Sequence, residues 1–246
     1  MMAMGFFVYP LWSAEVAFKS QAAKAILIEL YSSEGCSSCP PAEAWISKLK
    51  DAPGLWTELF PVVFHVDYWD RLGWPDRFAR PAFTQRQQKY AELLGQDSVY
   101  TPEFIANGRE WKGWFRGDQL PSSSSDSRGE LTLKVDVDAK KVSANFVPST
   151  GSDSQSYTIH VALLGFHLMT DVKRGENGGR VLQHDFVALD FLSKPMVLDQ
   201  EKKYQSGLLS FAIPANDTAG GAVAWVLGSD GSVVQITGGW LKQTSP

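Results

Sequence analysis

Ser32-Ser33-Glu34-Gly35-Cys36-Ser37-Ser38-Cys39-Pro40-Pro41 is the stretch that decides the fold. Before it, Ala25 to Tyr31 (AILIELY) reads as a buried strand. After it, Trp45, Ile46 and Leu49 fall at helical spacing between Ala42 and Lys50. Proline inside a helix removes a hydrogen bond and clashes with the preceding turn. In the first turn the N–H groups have no intrahelical partner, so proline costs little there. Pro40 and Pro41 therefore set the first turn near Ser38 to Pro41, with Cys36 at the N-terminal tip and Cys39 one turn inside.

Unpaired N–H groups and the helix dipole favour negative charge at that tip. The Cys36 thiol is expected to ionise below the value of about 8.5 of a free thiol. A thiolate is the nucleophile of disulfide exchange, and Cys39, held deeper, is placed to resolve the mixed disulfide. Strand, Cys-x-x-Cys, helix points to redox chemistry. Two other readings use the same pair. Two thiolates can hold Cu(I) or half a zinc site, and a structural disulfide is the third reading, although closing so small a loop stabilises little.

The rest of the 246 residues frames this motif. Hydrophobic residues make up 44% and aromatics 12%, enough for a sizeable core and unlike a disordered chain. Lys and Arg number 23 against 27 Asp and Glu, a net charge of −4 with no basic run, which excludes a nucleic-acid backbone as partner. With only 2 cysteines there is no disulfide-dense scaffold. Met1 to Ala14 is uncharged and apolar but shorter than the about 20 residues a membrane span needs. Residues 1–21 read as a truncated signal-like or extended N-terminus, with a packing strand as the alternative.

From Ala25 to about Leu120 strands alternate with helices. Pro61 to Tyr68 is a second strand, Phe83 to Leu94 a helix, and Asn107-Gly108 the turn of a hairpin between Glu103–Ala106 and Arg109–Lys112. Residues 122–129 are a Ser-rich linker. Beyond it, strand patterns run through Leu131–Val137, Val142–Val147, Tyr157–Gly165, Val181–Phe191, Gly207–Ile213, Ala222–Leu227 and Val233–Gly238. The expected fold class is α/β plus all-β: an α/β domain at 22–121 with a helical insertion, then a β-sandwich-like domain at 130–241.

The cysteine segment resembles the thioredoxin superfamily, in which a Cys-x-x-Cys opens the first active-site helix. That resemblance implies a cis-proline facing the cysteines, a role that falls on Pro102 of Tyr100-Thr101-Pro102, just before the hairpin. Glu29 to Ala42, His65-Val66-Asp67-Tyr68-Trp69-Asp70, Gly73-Trp74, Arg86-Gln87, Tyr90, Val99 to Pro102, Arg174 to Asn177, Gly179-Arg180 and His184 resemble a thioredoxin-like secreted family, domain of unknown function 1223. The resemblance spans nearly the whole chain. It implies the fold and a bacterial secreted or periplasmic origin and brings no established substrate; the Cys-x-x-Cys pair itself points to protein or small-molecule disulfides or thiols as partners, with no cofactor. The catalytic set is then Cys36, Cys39, Thr101 and Pro102.

His65 and Asp67 share a strand and a face. With Trp69 and Asp70 they are the supporting candidates, Asp67 or Asp70 as an acceptor for the Cys39 proton. The plainer reading gives those carboxylates backbone partners or Arg71 and Arg77. Trp69, Trp74, Phe78, Phe83 and Tyr90 form either a groove over the cysteines or core packing. His160, His167 and His184 invite a metal reading, but His160 and His167 have opposite parity and cannot share a metal on one regular strand. Lys173 to Arg180 is a loop in which Glu176 pairs with Arg180, or which reaches the cysteine half.

Overall fold

The computed structural model describes residues 15–21, 25–121, 129–149 and 156–241. The first half runs β1 (Glu15–Lys19), β2 (Ile26–Ser32), α1 (Cys39–Ser47), β3 (Leu59–His65), α2 (Pro81–Leu94), β4 (Glu103–Ala106) and β5 (Arg109–Glu110). The second continues with β6 (Gly129–Asp136), β7 (Lys141–Pro148), β8 (Thr158–Gly165), β9 (Leu168–Asp171), β10 (Val181–His184) and β11 (Val187–Pro195). It ends with β12 (Val197–Leu198), β13 (Tyr204–Gln205), β14 (Leu209–Ser210), β15 (Gly221–Leu227) and β16 (Val233–Trp240). The fold is mixed and β-rich, and the described residues beyond Gly129 contain no helix.

Both helices begin and end where local chemistry dictates. Pro40 and Pro41 occupy the first turn of α1, and Pro81 the first turn of α2. Gly95, at φ 65°, stops α2 in the left-handed conformation that glycine adopts without steric cost. The hairpin between β4 and β5 turns through Asn107 (φ 46°) and Gly108 (φ 80°), as the Asn-Gly pair predicts.

The sheets correct the expected division into an α/β domain at 22–121 and a separate β domain at 130–241. One eight-stranded sheet, ordered β16-β15-β8-β11-β3-β2-β4-β5, runs through both halves. The junction is the parallel contact of β11 with β3, where Val187 pairs with Val63 and the Val63 N–H donates to the Phe186 carbonyl at 2.8 Å. Without β11, β3 would be an open edge of unpaired backbone groups. A second sheet carries β1-β6-β7-β13-β12, with β14 also on β7. It packs on the β15–β16 end of the large sheet, so a sandwich does exist there.

Parity along the shared strands shows how. On β8 and β15, Ile159, Val161, Leu163, Ala222, Ala224 and Val226 face the second sheet. Their neighbours Ala162, Leu164, Val223 and Trp225 join the core around α1 and α2. Two further expectations change. Glu15–Lys19 is a strand paired with β6, not a bare extension; the signal-like residues 1–14 and most of the Ser-rich linker lie outside the described residues. Val181–Phe191 is two strands in different sheets, because the chain turns at Asp185 and Phe186, the latter at φ 59°.

A buried ion pair crosses the core. Glu29, in the middle of β2, accepts from Arg86 Nε at 2.7 Å and Nη2 at 2.9 Å, and from Tyr90 Oη at 2.6 Å. The Arg86 guanidinium also lies 5.1 Å from the Trp225 ring and 5.3 Å from the Phe191 ring, both in the second half of the chain. Removing one partner of such a pair leaves a buried charge uncompensated. Arg86→Ala is expected to destabilise the protein by about 3–5 kcal/mol, read from urea denaturation midpoints, whereas Arg109→Ala on the exposed hairpin leaves them unchanged.

Candidate functional site

The chain leaves β2 into a turn in which the Cys36 N–H donates to Ser33 O at 3.1 Å and the Cys39 N–H to Cys36 O at 3.2 Å. Helix α1 starts at Cys39, so Cys36 stands just ahead of it. Both thiols are free, and both residues are fully buried, so exposure does not distinguish them as the sequence suggested. Hydrogen bonding does. Cys36 Sγ lies 3.2 Å from Ser38 Oγ and 3.8 Å from the Thr101 carbonyl. A hydrogen bond from the Cys39 thiol, against the opposing effect of burial and aided by Ser38 and the Thr101 side chain, lowers the Cys36 thiol to about 6. Burial, followed by the proton that Cys39 shares with Cys36, pushes the Cys39 thiol well up.

The Thr101–Pro102 peptide is cis, the geometry expected at this position. Thr101 reaches the pair directly, and Trp69 Nε1 donates to Thr101 Oγ1 at 2.8 Å. The structure thus brings Cys36, Cys39, Thr101 and Trp69 together. The two carboxylates expected beside the thiols are elsewhere. Asp67 accepts from Thr84 Oγ1 at 2.5 Å, and Asp70 from the Asp76 N–H at 3.1 Å. Their partners are nearer the plain reading, although neither arginine named there is one of them.

The carboxylate near Cys39 is Glu43, one turn further along α1, whose charge helps raise the inner thiol. Four residues apart on a helix, Cys39 and Glu43 share a face, a signal the sequence offered. Glu43 accepts from Ser32 Oγ and contacts His184 Nδ1. His65 Nδ1 meets Asp76 Oδ2 at 2.6 Å. Glu34 accepts from Trp74 Nε1 at 2.7 Å and lies 3.4 Å from His184 Nε2. Burial pulls the His184 imidazolium down, but the Glu43 and Glu34 carboxylates outweigh it and bring the ring to about 10. His65 is raised likewise, burial being outweighed by Asp76.

The loop after β9 closes the site from the second half of the chain. Glu176 does not pair with Arg180. It accepts from the Ser37 N–H at 3.0 Å and Ser37 Oγ at 2.7 Å. Buried Asn177 donates through Nδ2 to the carbonyls of Glu34 and Cys36, each at 2.9 Å, and its Oδ1 accepts from Arg180 at 2.7 Å. The reading in which this loop reaches the cysteine half therefore describes the structure. Of the aromatic set, Trp69 and Trp74 border the site, while Phe78, Phe83 and Tyr90 are buried in cores. His160 packs beside Phe191 and Trp225, with centroids 5.3 and 5.4 Å away, and burial drives its pKa to about 2. His167 is exposed beside Lys50, so the two histidines share no site.

A family model described as a protein of unknown function (DUF1223) matches residues 27–227. No curated protein matches the chain. Solved structures of similar fold include the X-ray crystal structure of a protein from Agrobacterium tumefaciens, 22% identical, which covers 92% of this chain and 99% of its own with a TM-score of 0.61. HBP35 of Porphyromonas gingivalis is 14% identical and covers 92% of this chain and 78% of its own, with a TM-score of 0.62. At these identities the likeness is one of fold.

Asn177 is the residue on which the closure of the site can be tested. Asn177→Ala takes its donor from the Glu34 carbonyl and leaves the Cys36 carbonyl with the Cys39 N–H, at a cost on the order of 1–3 kcal/mol. Lower stability in urea and faster alkylation of Cys36 are the expected results. Wild-type values for both would show that the loop does not hold the cysteine turn.

Proposed function

The chain belongs to the DUF1223 family of proteins of unknown function, and we propose that within it this protein is a thiol–disulfide oxidoreductase whose first half is a thioredoxin-like unit. The observation that carries this reading is the asymmetry of the pair: Cys36 poised as an anion at about 6, and Cys39 held protonated beside it. At neutral pH Cys36 is then the nucleophile and Cys39 the proton-bearing resolver.

In the reducing direction the Cys36 thiolate attacks a disulfide R–S–S–R′, forming a Cys36–S–S–R bond and expelling R′–S⁻. Cys39 gives up its proton to solvent and attacks Cys36 Sγ. The second substrate thiolate leaves, and the Cys36–Cys39 disulfide remains. The substrate gains the two electrons that the pair loses. In the oxidising direction a substrate thiolate opens the pair's disulfide at Cys36, and the same steps run backwards. The Thr101 carbonyl beside Cys36 offers an acceptor to an extended substrate backbone. We assign the protein to the bacterial cell envelope, with protein or small-molecule disulfides as substrates. No described helix is long and apolar enough to cross a membrane.

Cys36→Ser is expected to abolish exchange with a disulfide-bonded peptide, and Cys39→Ser to stall as a mixed disulfide visible by intact-protein mass spectrometry. The alkylation rate of Cys36 rises with pH as the thiol ionises, reaching half its plateau near about 6, whereas Cys39 stays unlabelled there. Exchange undiminished in Cys36→Ser, or equal labelling of the two thiols, removes the assignment.

A further inference from the structure

Beneath the cysteine turn, three elements direct donor atoms at one point: Glu43 from α1, His65 from the end of β3 and His184 from the end of β10. All three residues are buried, and one donor atom from each lies within 4.8 Å of the others. Glu43 Oε1 and His65 Nε2 are 3.9 Å apart. Zn–N bonds of about 2.0–2.1 Å set tetrahedral donors roughly 3.3 Å apart, so small side-chain rotations bring these atoms onto one ion.

Three observations separate this cluster from an ordinary buried hydrogen-bond network. First, each imidazole has a carboxylate from outside the donor set at one nitrogen and turns the other toward the donor point, Asp76 at His65 Nδ1 and Glu34 at 3.4 Å from His184 Nε2. His65 Nδ1 is held by Asp76, which is itself fixed by the N–H groups of Glu34 at 2.8 Å and Phe78 at 2.9 Å. Among the described residues His65 Nε2 is buried without a hydrogen-bond partner, and the carboxylate near it is Glu43 at 3.9 Å. Buried polar atoms without partners are costly, and a carboxylate on one imidazole nitrogen is the arrangement that orients the other toward a metal. Second, Glu34, Glu43 and Asp76 converge here, and among the described residues none of them forms an ion pair with a lysine or arginine. Third, there is a way in. A cavity of about 490 Å³ between α1 and β10 has Glu43 and His184 in its wall and the exposed Lys48 and Gln183 at its margin.

The donor chemistry narrows the occupant. Calcium and magnesium take oxygen ligands, whereas two imidazoles and one carboxylate are a zinc donor set. We propose that Glu43, His65 and His184 bind one zinc-type divalent transition-metal ion, at a site distinct from the cysteine pair. The ion takes the place of the proton between Glu43 and His184. It ties α1 and β3 of the first half to β10 of the second.

The experiment uses the full chain with Cys36→Ser and Cys39→Ser, so that thiolate binding and exchange chemistry are both absent. The protein is stripped with a chelator, titrated with Zn²⁺, desalted and analysed for metal. One zinc per chain and a raised thermal midpoint are expected. In the same background Asp76→Asn, which loosens His65 without removing a ligand, should weaken binding by about 10–100-fold. Glu43→Gln and His184→Gln should abolish retention. If either fails to fold by circular dichroism, X-ray absorption of the zinc-loaded wild type decides, a shell with two imidazoles supporting the site and a sulfur shell overturning it. Zinc captured only when the cysteines are present, or bound equally by Glu43→Gln, also overturns it. None of these outcomes depends on whether the pair catalyses exchange.

Discussion

The pairing of β11 against β3 is the constraint on which the rest of the molecule depends. It is short, with the Val63–Val187 register and the Phe186 carbonyl at its centre. Yet it closes the open edge of β3 and makes one sheet of two halves with different sequence character. Phe186 accepts a left-handed backbone conformation there, unfavourable for a bulky side chain, and its carbonyl receives the Val63 N–H. Once β11 is fixed, the segment just before it is fixed as well. β10 lies along α1, His184 arrives beside Glu43, and the loop between β9 and β10 comes to rest on the cysteine turn.

The site is therefore composite. Its nucleophile and resolver come from the first half, and part of the backbone support under Cys36 comes from Asn177, 141 residues away. Glu176 adds a second tether at Ser37. This explains why the second half of the chain is more than an appended sandwich. Its outer sheet buries Leu131, Leu133 and Phe146, while its inner strands extend the sheet that carries the cysteine turn.

Much of this was legible in the sequence, and the boundary of legibility is physical. Features set by neighbours along the chain could be read: the proline-started helices, the Asn-Gly hairpin, the fully buried β2 and the position of Pro102. Features set by contacts between distant segments could not. Nothing local says that β3 takes β11 as its partner, or that Val181–Phe191 must break at Asp185 to place its two pieces in different sheets. Among the site residues, Trp69 is a candidate that remains beside Thr101, whereas Asp67 or Asp70 is placed at the thiols only by strand parity and the position of the strand end. Parity gives a face but not a depth. Glu43 was within reach, since a carboxylate one turn beyond Cys39 shares its face. The loop holding Asn177 is open to a contact with the cysteine half and His184 to a metal reading, but their partners lie far off in the chain and cannot be named from local pattern.

The asymmetry of the two thiols also has a different origin from the one a helix tip suggests. Neither residue is exposed, yet burial is the leading influence on Cys39, which it raises, and a lesser one on Cys36. To this the buried site adds a proton shared between the two sulfurs. Two thiolates in such a place would repel each other without water to screen them, so the pair holds one negative charge in preference to two. The hydrogen bond from Cys39 selects Cys36 as the carrier, and the Ser38 and Thr101 contacts reinforce that choice. The titration therefore belongs to the pair, in the way that two neighbouring carboxylates share one proton. Once Cys36 is bound in the mixed disulfide it no longer carries that charge, so the repulsion that kept the proton on Cys39 is gone and resolution can follow.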